Sequence, residues 1–268
     1  MAGHSGRTGR LLGIGLAIGV GVVGDTQELG TVVYQGALSE SQQWAFVQQA
    51  AARPVMTRLR ITSNGGSVRA GIALGHWVRN HRLDVEIRGA CLSACANYVF
   101  PAGQRQVIAP DSLVAWHGTY QHLLATGQWR DDIAYRQRRY GEERETARRR
   151  AQAMAQDLAT AEARLFERLG VDGRIAWIGK LLPYHVPRYY ALSVPAMARF
   201  GIERVAAPTG YPAGAVRHRP EVQHLRLTAG VTEVDWPEGW GSQEGSKPRG
   251  ADPAGEPFGG TEPVTPAP

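Results

Sequence analysis

Three strand-turn-helix units succeed one another in the first hundred residues, and this succession constrains the fold more than any other feature of the chain. Thr31 to Tyr34 is a short β-branched run, and Ser39 with Gln42 forms a capping-box pattern that opens an amphipathic stretch to Ala52. Arg58 to Thr62 alternates with Leu59 and Ile61 on one face, Ser63-Asn64-Gly65-Gly66 breaks the pattern, and Ser67 to Asn80 resumes helical spacing through Val68, Ile72 and Gly75. Asp84 to Arg88 alternates again, Gly89 marks a turn, and Ser93 to Phe100 reads as a helix of small residues stopped by Pro101 and Gly103. Two further apolar runs follow, Val107-Ile108 and Leu113 to Trp116, the second ending at His117. Strands alternating with helices at this spacing predict an α/β fold around a largely parallel sheet.

The flanks differ in character. Residues 1–24 carry Arg7 and Arg10 before an uncharged apolar run from Leu11 to Gly24, the pattern of a signal peptide or, if uncleaved, of a membrane anchor through residues 11–24. Either implies export, to the periplasm or the periplasmic membrane face in a bacterium. Arg130 to Leu169 is charged and helix-forming, which predicts an exposed helical arm or subunit contact. Its mixed arginines and glutamates explain themselves as pairs three and four residues apart, without nucleic acid. The folded domain is expected to run over 31–206, closing with a helix at Val194 to Phe200 and a strand at Ile202 to Val205; the proline- and glycine-rich 207–268 is expected to be a disordered tail.

Ser93 stands where a strand ends and a helix begins, so unpaired N–H groups and the helix dipole surround its hydroxyl. Such a serine serves either as an N-cap or as a nucleophile beside an oxyanion site. His117, at the end of an apolar strand in the same α/β region, is a candidate base for it. Gly65 and Gly66 have no side chains to keep a bound carbonyl from their N–H groups. The only two cysteines, Cys91 and Cys95, flank Ser93 and are either a disulfide in an oxidising compartment or two buried thiols.

Taken in order, Ile61 to Val68, Cys91 to Ala96, Pro101-Ala102-Gly103 and Ser112 to His117 resemble the Clp protease proteolytic subunit, and its exported bacterial relatives still more closely. The similarity extends from the Gly36 turn through Leu192-Ser193 to Gly201-Ile202. The resemblance implies the Clp protease and crotonase fold, a serine peptidase with Ser93 as nucleophile and His117 as general base, and an oxyanion hole from the Gly65-Gly66 loop and the Ala94 N–H. It further implies peptide or unfolded-protein substrates, a homo-oligomer, and no metal or organic cofactor. The sequence departs from the family in having Asn64 where the pattern has proline, and Tyr184 or His185 where the third triad member, an aspartate, is expected. His185 is therefore the candidate third group, and an inactive scaffold is the alternative function. A serine-lysine peptidase is disfavoured, because Lys180 is the only lysine in the folded region. Crotonase hydratases work through carboxylates and have no use for a serine-histidine pair.

Overall fold

The computed structural model describes residues 30–227 and 237. The proposed leader and most of the proposed tail lie outside them. A six-stranded sheet, all parallel, has the order β1-β2-β3-β4-β7, with β5 also paired to β3. Its strands are β1 (Thr31–Gln35), β2 (Arg58–Ser63), β3 (Asp84–Leu92), β4 (Gln106–Ile108), β5 (Leu113–Ala115) and β7 (Val205–Ala206). Helices α1 (Glu40–Ala51) and α2 (Val68–Asn80) make the first two crossovers. Alternation in β2 turns Leu59 and Ile61 into the core and Arg58 and Arg60 outward, where they meet the buried Glu86 at 3.4 and 3.2 Å.

Register explains why the strand ends matter. Strand β3 is long enough to hold two partners on one side: Val85 to Ile87 pair with β4, and after Gly89 (φ 79°) Ala90 to Leu92 pair with β5. Leu92 lies opposite Ala115, and Ser63 at the end of β2 lies opposite Cys91. Because all three strands are parallel, the loops after β2, β3 and β5 leave the sheet at one edge, the usual place for a ligand site in such sheets.

Four expectations are revised. The Ser39 hydroxyl accepts the Gln42 N–H at 3.3 Å, but the Gln42 side chain donates to the Gln35 carbonyl at 2.8 Å instead of closing a capping box. The helix after Ser93 is a wide turn of π type, Cys95–Val99, packed so closely on α2 that a Cβ at Gly75 would lie 2.3 Å from the Tyr98 carbonyl oxygen. The helical arm is two helices, α4 (Asp131–Tyr140) and α5 (Arg144–Leu169), separated where Gly141 adopts φ 65°. Of the two, α4 buries nothing, whereas α5 buries Ala147, Ala151, Ala155, Leu158, Glu162, Leu165 and Phe166 at helical spacing against the body. Arg148 and Arg149 pair with Glu145, three and four residues away, at 2.8 and 3.7 Å, but Arg136 and Arg150 converge from the two helices on Glu142, six and eight residues away, at 2.7 Å.

The fourth revision is the domain end. Residues 207–227, expected as tail, are folded. Strand β6 (Tyr189–Ala191) is joined in parallel by β8 (Val222–His224), beyond the short helices α6 (Val194–Ala198) and α7 (Ala213–Val216). The Tyr211 hydroxyl, buried, accepts the Val114 N–H at 3.0 Å. This supplies the donor on β5 with a partner, as a buried backbone N–H requires.

Candidate active site

Ser93 follows β3 directly and adopts a left-handed φ of 56°, a strained conformation for a residue with a side chain and one that clusters at functional sites. Three contacts hold it there. Its N–H donates to the Ala115 carbonyl at 3.1 Å, its carbonyl accepts the Asn97 N–H at 2.8 Å, and a disulfide joins Cys91 to Cys95 across it, with Cα atoms 5.2 Å apart. The cysteine question left open by the sequence is thus resolved as a buried disulfide, with Cys91 on the strand and Cys95 in the turn.

The Gly65-Gly66 loop packs against this turn. A Cβ at Gly65 would lie 2.7 Å from both the Leu92 carbonyl oxygen and Ser93 Cβ, and one at Gly66 would lie 2.3 Å from the Leu38 carbonyl oxygen. Positive φ values of 86° and 140° add a second reason for glycine. The Gly65 N–H is engaged by Ser63 Oγ at 3.1 Å, which corrects its assignment as an oxyanion donor; its part is to permit the close approach. Among the described residues no backbone bond uses the Gly66 or Ala94 N–H. Those two donors stand unengaged beside the Ser93 turn.

His117 leaves β5 two residues beyond Ala115, and its Nε2 lies 2.6 Å from Ser93 Oγ. Solvent reaches the ring, yet protein surrounds most of it, and this burial lowers its pKa below the usual histidine value; the positive charge of Lys180 acts in the same direction. A neutral imidazole is the form that can accept a hydroxyl proton.

The pair opens on a cleft of about 410 Å³ whose polar lining includes Asn97, His122, Lys180 and His185. His185, with φ 45°, stands at this cleft, but no hydrogen bond links it to His117 among the described residues; the structure does not bring the predicted third group to the base. Lys180 does share the cleft with Ser93, a placement its position in the sequence does not suggest. Its ammonium group donates to the carbonyls of Val186, Pro187 and Arg188 at 3.0, 3.2 and 2.5 Å, which occupies its three donors and pins the loop forming one wall. The side chain that reaches Ser93 Oγ is thus the His117 imidazole, not the Lys180 ammonium.

No protein-family model matches the chain, and no curated protein matches it. Among the described residues no three or more His, Cys, Asp or Glu side chains are grouped to hold a metal ion, and no helix is long and apolar enough to cross a membrane.

Several residues that shape the cleft escape a reading of the sequence. Glu162 is fully buried, and its carboxylate accepts the Tyr98 hydroxyl at 2.5 Å and the N–H groups of Tyr120 and Gln121 at 3.0 and 2.9 Å. It thereby ties α5 to the Ser93 turn and to the start of α3 (Tyr120–Thr126). Burial pushes its pKa up, opposed by the three donors. A glutamate inside the otherwise apolar stripe Ala151, Ala155, Leu158, Leu165 is the signal that could have found it. His122, buried beside Trp177, is held down to about 4, by burial first and then by Lys180 and His117.

Proposed function

We propose that the chain is a serine hydrolase acting by acyl transfer, with the Clp-protease-like, crotonase-type fold that its motifs resemble. The observation that carries the reading is the 2.6 Å contact between Ser93 Oγ and His117 Nε2, made by a serine in left-handed conformation against a glycine loop with two unengaged N–H donors. In this mechanism His117 takes the Ser93 proton as Oγ attacks a peptide carbonyl, and the N–H groups of Gly66 and Ala94 receive the oxyanion. The imidazolium then protonates the leaving amine, and water, activated by the same imidazole, releases the acyl group. Substrates are peptides or unfolded segments, and no ATP-driven unfoldase is required. The disulfide around the nucleophile supports an exported protein, since such bonds persist in oxidising compartments. A homo-oligomer enclosing the sites follows from the resemblance, with the exposed α4 as its contact surface.

One observation favours a second reading, an inactive scaffold: among the described residues His117 has no carboxylate hydrogen-bonded to it. Labelling with a fluorophosphonate probe decides between them. Loss of a nucleophile or base costs roughly 10⁶ in turnover in a serine protease. The hydrolase reading expects labelling of the parent and none of Ser93→Ala or His117→Ala. An unlabelled, folded parent would establish the scaffold.

A further inference from the structure

The backbone around His117 is clamped from several sides. Trp116 and Tyr190 exchange N–H to carbonyl bonds, both 2.9 Å, the Gly118 N–H donates to the Ala176 carbonyl at 2.9 Å, and Asn97 Nδ2 donates to the Gly118 carbonyl at 2.9 Å. These bonds fix where the residue starts. They leave the ring to its own contacts, because rotation about the bond joining an sp³ carbon to an aromatic ring is soft: Nε2 meets Ser93 Oγ, the residue's own backbone supplies one hydrogen bond, and among the described residues no carboxylate restrains the imidazole. One aromatic side chain is placed to do so. The Tyr189 ring meets the His117 ring edge to face, with centroids 4.8 Å apart and planes at 65°. Edge-to-face contact is a favoured aromatic arrangement, since the positive rim of one ring meets the negative face of the other.

Resting on the serine-hydrolase reading, we propose that Tyr189 is the positioning residue for His117, an aromatic ring doing the orienting work that a carboxylate does in a triad. It acts through shape. Among the described residues the Tyr189 hydroxyl makes no hydrogen bond, so the ring alone is needed. Tyr189 is itself held by β8, opposite Val222, with its N–H donating to the Glu221 carbonyl at 3.3 Å. The segment beyond residue 206 thus reaches the base through two contacts, β8 to Tyr189 and Tyr189 to the imidazole.

The test compares Tyr189→Phe, Tyr189→Leu and the β-branched strand former Tyr189→Val, made in case the leucine variant does not fold. Two readouts are taken: the maximal rate and half-saturating concentration of fluorophosphonate acylation, and the NMR position of the His117 Cε1 proton. The aliphatic variants are expected to acylate about 10-fold more slowly with unchanged half-saturation, on the scale of a loosened catalytic geometry, and to shift the His117 resonance. The Phe variant should match the parent. An aliphatic variant with the parent's rate and resonance overturns the proposal, as does a Phe variant as slow as Leu, which would assign the work to the hydroxyl. If the parent is not acylated at all, the hydrolase reading fails, and the resonance still decides: moved by Leu and not by Phe, Tyr189 sets the ring; unmoved by either, it does not.

Discussion

The two halves of the site are built on different principles. The Ser93 half is tightly and redundantly held: a disulfide spans it in sequence, a strand register precedes it, and a pair of glycines from the loop after β2 that tolerate no Cβ pack against it. The His117 half is assembled from distant parts, with His117 just beyond β5, Tyr189 on β6, Lys180 on the turn Ile178–Lys180 and His122 on α3. A strained serine needs rigid covalent and backbone support, whereas an imidazole needs a surrounding field and shape, which only tertiary structure supplies.

Four measurements would break or sharpen this contrast. The largest effect is expected on the nucleophile side from Gly66→Ala, whose Cβ would meet the Leu38 carbonyl oxygen at 2.3 Å. Displacing one oxyanion donor costs about 10² to 10³ in rate, so acylation kinetics should fall by that order with Ser93 and His117 intact. A rate within about threefold of the parent would remove Gly66 from the oxyanion site.

On the base side, His122 should make folding sensitive to acid. Its pKa is depressed to about 4 in the folded state, so the unfolded chain binds a proton first as pH falls below the ordinary histidine value. The fold therefore loses stability from about pH 6.5 downward, by roughly 3 kcal/mol once pH is below 4, and loses nothing above that window. Urea unfolding of the parent and His122→Phe across pH 4 to 7 should show a steeper slope for the parent; parallel curves would show that His122 is not held neutral.

Third in size is the disulfide. A bridge across so short a loop restrains the unfolded chain by about 2 kcal/mol, and Cys91→Ala with Cys95→Ala should lower unfolding free energy by that amount. The same double variant should slow acylation by Ser93 more than it disturbs the His117 resonance; equal disturbance of both would deny that the halves are supported separately.

The smallest effect tests the field at the base. Lys180 lowers the His117 pKa second to burial; His122, His185, Tyr98 and Tyr120 are the other titratable groups lining the cleft, and Tyr189 packs on the ring. Removing the charge in Lys180→Met should move the acid limb of acylation upward by a few tenths of a pH unit, and added salt should do the same to the parent but not the variant. A limb that moves downward, or not at all, would exclude Lys180 from tuning the base.

This division also tells how much the sequence could reveal. Ser93, His117 and the glycine loop were legible because each follows an alternating or apolar strand run and their order carries the family resemblance, and parallel strands bring their ends together. The approximate element order through Trp116 was legible for the same reason. Tyr189, Lys180 and Glu162 were not, because their roles depend on which elements meet in space. Residues 207–227 were misread as tail because proline and glycine dominate locally, while what orders the segment is remote: the buried Tyr211 against Val114 and the pairing of β8 with β6.

That late pairing bears on when the site is first complete. A chain made from its N-terminus outward carries the serine, its glycines and both cysteines within the first hundred residues and the Ala115 carbonyl soon after, but β8, which holds the strand bearing Tyr189, ends at His224. On the hydrolase reading, a fragment released early carries a formed nucleophile with a loosely held base. On that same reading β8 works as a completion signal, keeping unfinished copies poor at cutting the very unfolded chains among which they emerge.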